Sequence, residues 1–122
     1  MTTLSTAGAA SWHDEPGDGT CTVVVEGELD LEAAPPLRDH LAGVLTRTPE
    51  VVVDLTGLTF CDSSGLGALV ATRRRALLLE RSLRLRARPG GRFLRLLDVS
   101  GLRHAFEVDL VVDLPAPTGA TP

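Results

Sequence analysis

Two valine runs separated by a helix-like pattern constrain this chain most, because they predict strands that are connected through a helix. The runs occupy 23–25 and 51–53, and the second lies in a nearly continuous apolar stretch, 51–55. Such a stretch is typical of a central strand that is covered on both faces. The residues between the runs form one apolar stripe at helical spacing, namely Leu31, Ala34, Leu37, Leu41, Val44 and Leu45. Strand–helix–strand units of this kind predict an α/β fold with a largely parallel sheet and right-handed crossovers.

The same alternation continues along the chain and gives the order β(β)αβαβαβ. The predicted strands are 9–13, 21–26, 51–55, 82–88 and 106–112, and the predicted helices are 34–46, 64–79 and 92–99. The first strand is weakly patterned, so we expect four or five strands with three or more helices. Residues 1–8 are predicted to be a flexible start and 9–114 a single domain. Residues 115–122, rich in Pro, Gly, Thr and Ala, are predicted to be a disordered tail.

Composition argues against several functions. The net charge of −4 and the aromatic content of 3%, with no Tyr, disfavour binding to nucleic acids or anionic membranes. No stretch is apolar enough to cross a membrane and no secretory signal is apparent, so a cytoplasmic protein is expected. Cys21 and Cys61 have neither CxxC spacing nor further ligands, which predicts two buried thiols rather than a metal site. No cofactor is expected.

Two hydroxyls at a predicted helix start carry the functional information. They belong to the run Asp62-Ser63-Ser64-Gly65-Leu66-Gly67, which follows the strand 51–55 and a turn at 56–57. A phosphate at a helix start is favoured by unpaired backbone N–H groups and by the helix dipole. The simpler interpretation is a helix cap, since Asp and Ser side chains both accept hydrogen bonds from those N–H groups. The two glycines are expected to let a partner's backbone approach closely.

Two further motifs lie on either side of this run. They are Gly27-Glu28-Leu29-Asp30 and Leu97-Asp98-Val99-Ser100-Gly101-Leu102. In this order and spacing, the three motifs resemble the STAS domain, and most of all its small bacterial members, the anti-sigma factor antagonists. The resemblance covers about residues 20–112 and implies a single STAS-like α/β domain that binds a partner and is not an enzyme.

The resemblance implies a phosphorylation switch at Ser63. In that family, the serine after the aspartate is phosphorylated by a partner that is both an anti-sigma factor and a serine kinase. The unphosphorylated antagonist binds this partner and frees a sigma factor, phosphorylation breaks the complex, and a metal-dependent serine phosphatase resets it. Ser64 is the rival acceptor. The predicted partner-binding residues are Glu28, Asp30, Asp62, Ser63, Ser64, Gly65, Leu66 and Gly67.

Other interpretations stay open. Glu28 and Asp30 are equally well explained as acids at a helix start. The chain could also be a STAS interaction module of a transporter or sensory complex without a phosphate cycle, because the helix that small antagonists usually carry after the last strand is not apparent. A nucleotide-binding regulator is disfavoured, since the chain has no phosphate-loop pattern and no Lys. A hydrolase is disfavoured because the G-x-S-x-G nucleophile elbow is absent.

Overall fold

The computed structural model describes residues 4–112, whose six strands form one sheet with the spatial order of the strands equal to their chain order. The strands are β1 Ser5–Ala7, β2 Ala10–Pro16, β3 Thr20–Leu29, β4 Glu50–Cys61, β5 Ser82–Ala87 and β6 Glu107–Leu110. The helices are α1 Ala34–Arg47, α2 Ser63–Leu78 and α3 Arg92–Val99, with a 3₁₀-helix at Arg103–Ala105. Strands β1 to β3 pair antiparallel, and β3 to β6 pair parallel. The predicted α/β class is confirmed, and the sheet has six strands instead of four or five.

The three helices lie on one face of this sheet. Because neighbouring parallel strands follow one another in chain order, right-handed crossovers bring every helix to the same side. Burial agrees: Val51 and Val53 of β4 are fully buried, whereas Val52 between them is only partly buried. The expectation that this strand is covered on both faces is therefore wrong. Val52 stays partly shielded because Thr22 and Arg84 flank it in the neighbouring strands.

The core fills the space between the sheet and the helices. Its largest fully buried side chains are Leu29, Leu37, Leu41, Leu45, Leu69, Leu85, Leu97, Val23, Val25, Val44, Val51 and Val53. Leu31 departs from the apolar stripe predicted for α1 and is 73% exposed. The reason is the position of the helix start, which has prolines at its first positions, where a missing N–H breaks no helical hydrogen bond. Leu31 therefore lies in the turn before the helix.

Strands β3 and β4 run further than the sequence predicts, and their ends reach the same edge of the sheet. Their pairing continues past the turn expected at 56–57, with Glu26 opposite Gly57 and Leu29 opposite Cys61. Two register shifts accommodate the extra residues of β4. The predicted turn is therefore wrong, because backbone pairing to β3 keeps this segment extended.

Both ends of the described chain differ from the prediction. Ser5–Ala7, within the segment 1–8 that was expected to be flexible, pair with β2 as strand β1, since a turn at Gly8 (φ +58°) reverses the chain. At the other end, β6 covers only Glu107–Leu110 and is shorter than the predicted 106–112, and a 3₁₀-helix at Arg103–Ala105 precedes it. The predicted tail, 115–122, lies outside the described residues.

Ion pairs cover part of the sheet face on which none of the helices of residues 4–112 packs. Arg84 donates from Nε and Nη2 to the carboxylate of Asp109 over 3.1 and 2.8 Å, and Arg86 Nη1 lies 3.9 Å from Asp54 Oδ2. The hydrogen bonds from Arg84 hold the pKa of Asp109 below its ordinary value. Strand β5 thus has the wet, basic face that its alternating sequence predicts, and its arginines pair with acids on the neighbouring strands.

The sharpest backbone constraint in the sheet is at Gly27, which has φ +91° and would bring a Cβ atom to 2.2 Å from the carbonyl oxygen of Ala9. We expect Gly27→Ala to lower the free energy of unfolding by about 2 kcal/mol or more, because both the backbone angle and the close contact oppose a side chain. Urea denaturation would measure it. Gly43→Ala in α1 is the matched control, since its Cβ would come no closer than 3.7 Å to Arg47. Equal stability of the two variants would contradict this account.

Candidate functional site

The ends of β3 and β4 place the candidate site at one edge of the sheet. Leu29 and Cys61 lie side by side there, and the N–H of Asp62 donates to the carbonyl oxygen of Leu29 over 3.2 Å. The chain then turns directly into α2. The carboxyl ends of parallel strands share one edge of a sheet, so the acidic end of β3 and the hydroxyls of α2 are brought together.

Asp62 caps α2. Its Oδ1 atom accepts hydrogen bonds from the N–H groups of Ser64 (2.9 Å) and Gly65 (3.2 Å), and its own backbone is extended. The carbonyl oxygen of Asp62 accepts from the N–H of Leu66 over 3.1 Å. The cap predicted from the sequence is therefore present, and the helix begins at Ser63, one residue earlier than expected.

The two serine hydroxyls differ in exposure. Ser63 is exposed at the first position of α2, and Ser64 is only partly exposed. Neither hydroxyl hydrogen-bonds to another group within residues 4–112. Since Asp62 already supplies the cap, the Ser63 hydroxyl is available to another molecule.

The rest of the predicted motif is divided between the interior and the surface. Gly65 is buried, and a Cβ there would lie 2.8 Å from Leu29 Cγ and 2.9 Å from Cys61 Sγ. Leu66 is buried in the core. Gly67 is exposed, and a Cβ there would meet nothing within 4 Å. Gly65 therefore serves internal packing and Leu66 holds α2 against the core, whereas Gly67 is exposed. The part of these three residues in partner binding stays a prediction.

The predicted acids Glu28 and Asp30 lie at the same edge. Asp30 Oδ1 accepts hydrogen bonds from the N–H groups of Glu32 (3.1 Å) and Ala33 (3.2 Å), which stabilises the turn before α1. Glu28 is exposed opposite Phe60 of β4. Asp30 thus has the helix-start role that the sequence left open, and both acids add negative charge to the edge of the sheet at which α2 begins.

Sequence reasoning missed a groove that opens beside Ser64, between the starts of α1 and α2. The groove encloses about 370 Å³ and is lined by Leu31, Ala34, Pro35, Arg38, Ser64, Gly67 and Ala68. It was missed because helical spacing assigned Leu31 to the core. The sequence did contain a signal, since Pro35 and Pro36 place the helix start after that residue.

Cys61 lies under the site. Burial, followed by the negative charge of Asp62, raises the pKa of the Cys61 thiol to about 12. The thiol donates weakly to the carbonyl oxygen of Asp62 over 3.5 Å. Both cysteines are buried and unbridged, as predicted. A thiol that holds its proton so firmly is a poor nucleophile at neutral pH.

The surroundings of the site offer little for catalysis or metal binding. His13 and His40 hydrogen-bond through Nε2 to Glu15 and Asp14, so neither activates a serine of α2. Within residues 4–112, no group of three or more His, Cys, Asp or Glu side chains is placed to hold a metal ion. No helix in the same range is long and apolar enough to span a membrane.

A family model described as "Mlab, STAS domain" matches residues 12–113. The chain therefore belongs to the STAS domain family, and the sequence resemblance is confirmed.

Within that family, the chain is similar to anti-sigma factor antagonists. It is 30% identical over 86 residues to the anti-sigma-B factor antagonist of Bacillus subtilis, a match that covers 70% of this chain and 78% of that protein. An anti-sigma factor antagonist from Mycobacterium paratuberculosis has a similar crystal structure, with a TM-score of 0.73 and 31% identity over 86% of this chain and 89% of that one.

The Bacillus protein SpoIIAA shares the fold at lower identity. Its unphosphorylated and phosphorylated forms superpose with TM-scores of 0.67 and 0.63 at 20% identity, and each match covers 84% of this chain. The matches span 88% and 91% of the SpoIIAA chains.

The cap can be tested by substitution. We expect Asp62→Ala to lower the free energy of unfolding by about 1 kcal/mol, because two N–H groups of α2 lose their acceptor. Asp62→Asn should retain most of the stability, since an amide oxygen can accept the same hydrogen bonds. Urea denaturation of the three proteins would decide this, and an alanine variant as stable as the wild type would show that the cap contributes nothing.

The raised pKa of Cys61 predicts a loss of stability at alkaline pH. The folded protein holds the thiol proton more tightly than the unfolded chain, so this contribution is complete below pH 9 and is lost as the pH rises toward about 12. The chain has no Tyr and no Lys, so few other side chains titrate in this range. The free energy of unfolding should fall by up to about 1.4 kcal/mol per pH unit for this thiol.

Denaturation curves at intervals between pH 9 and pH 12 would measure that slope. Cys61→Ala should reduce this slope. Burial also raises the pKa of Cys21, so Cys21→Ala should remove the part of the slope due to Cys21 and leave the part due to Cys61 in place. A slope unchanged by Cys61→Ala would contradict the assignment.

Proposed function

We propose that this chain is an anti-sigma factor antagonist whose helix start, with Ser63 unmodified, binds an anti-sigma factor, and that phosphorylation of Ser63 breaks the complex. One observation supports this proposal most: the Ser63 hydroxyl is exposed at the first position of α2, while Asp62 supplies the cap that a serine could otherwise provide. A group that the fold does not need can be modified without unfolding the protein. Ser64 is the rival acceptor but is less exposed.

A phosphate at this position is compatible with the fold. The first N–H groups of an α-helix lack intrahelical acceptors, and the helix dipole favours negative charge at this end. Phosphoserine adds a charge of about −1.5 to −2 and strong acceptor oxygens. The modification therefore changes the surface while the domain keeps its structure.

The same phosphate would repel a partner that is shaped for the free hydroxyl. Glu28, Asp30 and Asp62 already concentrate negative charge at this edge. The repulsion between the phosphate and one negative charge of the partner about 4 Å away costs about 1 kcal/mol in water and about 4 kcal/mol at an intermediate dielectric. Since about 1.4 kcal/mol changes affinity tenfold, binding weakens from several-fold to several-hundred-fold. That range is sufficient for a switch.

The partner in this proposal is an anti-sigma factor that also transfers phosphate to Ser63, and a serine phosphatase removes it again. The proposal places the protein in the cytoplasm, where a sigma factor acts. It assigns the chain a binding role and no catalytic step of its own, so the phosphoryl group comes from the partner's nucleotide.

Phosphorylation by the cognate kinase and ATP tests the proposal. We expect the wild type and Ser64→Asn to incorporate phosphate, and Ser63→Asn to incorporate none, with mass spectrometry locating the modified residue. Asn is the suitable replacement because it removes the hydroxyl and still tolerates a helix start. Labelling that persists in Ser63→Asn would disprove the assignment.

A binding measurement separates this function from a constitutive STAS module of a transporter or sensory complex. The phosphorylated protein should bind the anti-sigma factor at least several-fold more weakly than the unmodified protein. A partner whose affinity is the same for both forms would favour the module without a phosphate cycle.

A further inference from the structure

The groove between α1 and α2 adjoins the proposed switch. Ser64 forms part of its wall, and Ser63 is the neighbouring residue in the exposed first turn. The groove and the phosphorylation site therefore belong to one continuous surface.

Leu31 gives this surface an apolar contact that the fold does not use. The side chain is 73% exposed, and it lines the groove rather than the core. Its position is fixed by the turn before α1, where Asp30 accepts hydrogen bonds from Glu32 and Ala33. A single exposed leucine is common on protein surfaces, and Leu31 differs from the exposed Leu78 in that it lines a groove that continues to Ser64.

Gly67 keeps the groove open. It lies within α2, where glycine is less favourable than alanine, and a Cβ there would meet nothing within 4 Å. Packing inside the domain therefore does not require a glycine, in contrast to Gly65 two residues earlier. A side chain at this position would project into the groove.

The size of protein interfaces supports occupation by the same partner that reads Ser63. A stable complex covers about 800 Å² on each protein, or about 20–30 residues. An interface centred on Ser63 that reaches this size extends over the adjacent groove. This chain's side of the interface has a defined charge pattern. Acids lie at the ends of the strands, and Arg38 is the charged residue that lines the groove.

We infer that the groove receives an apolar side chain of the anti-sigma factor and that a neighbouring carboxylate of this partner pairs with Arg38. Leu31 and Gly67 thereby determine which anti-sigma factor this chain binds. The inference rests on the proposed function. It extends the proposed contact from Ser63 to α1. In this inference the groove provides binding affinity, and phosphorylation of Ser63 lowers that affinity.

Titration calorimetry with the purified cognate anti-sigma factor tests this inference. We expect Leu31→Ala to raise Kd about tenfold, which corresponds to about 1.4 kcal/mol. Gly67→Leu should raise it at least as much, because the new side chain occupies the groove. The melting temperatures of both variants should lie within a few degrees of the wild-type value or above it, because Leu31 is exposed and Gly67 has open space around it.

Matched controls lie at the far end of α2. Leu78 is 82% exposed in the last turn, and Leu78→Ala should leave Kd within about twofold of the wild type. Arg38→Glu should weaken binding more at low salt than at high salt, whereas the exposed Arg74→Glu should do so far less.

The possible results separate the two proposals. Suppose that the wild-type protein binds and that phosphorylation of Ser63 weakens this binding. If neither Leu31→Ala nor Gly67→Leu then changes Kd, the groove inference is wrong while the proposed function stands. If wild-type protein does not bind the anti-sigma factor, both are wrong. Self-association that Gly67→Leu abolishes would assign the groove to a second copy of this chain and would also overturn the inference.

Discussion

The junction at Asp62 joins the core of this domain to its candidate site. Its N–H group is bound to the end of β3, its carboxylate holds the first turn of α2, and its carbonyl oxygen begins the helical hydrogen bonds. These contacts fix the direction in which α2 leaves the sheet, and the helix in turn carries Ser63. Loss of the cap costs about 1 kcal/mol of stability. It also removes the hydrogen bonds that fix the position of Ser63 at the start of the helix.

The topology explains why the site lies where it does. Four parallel strands placed side by side in chain order put all of their carboxyl ends at one edge and all three helices on one face. The acids at the end of β3, the capped start of α2 and the turn before α1 converge there without a long loop. Binding surfaces built from such pre-organised elements move little when a complex forms, which is consistent with the proposed switch acting through charge at Ser63.

Much of this arrangement could be predicted from sequence. The α/β class, the three helices and the cap at Asp62 follow from apolar periodicity and capping patterns, and the family follows from the resemblance of three short motifs to the STAS domain. The length of β4 could not be predicted in this way, because pairing with β3 overrides the turn tendency at 56–57. The exposure of Leu31 could not either, since spacing alone does not show which side of a helix start a residue occupies. The different roles of Gly65 and Gly67 depend on neighbours distant in sequence, and only the packing of Leu29 and Cys61 distinguishes them.

Within residues 4–112, helices on one side of the sheet only leave a broad strand surface and two edges that no helix covers. In this domain the edge strands are short, with three residues in β1 and four in β6. The network that joins Arg84 to Asp109 and Arg86 to Asp54 places charged groups over the uncovered strands. Short edges and charged side chains oppose the strand-to-strand stacking that leads to aggregation. The side of the sheet opposite the proposed binding surface is thereby protected from irreversible association through exposed strands.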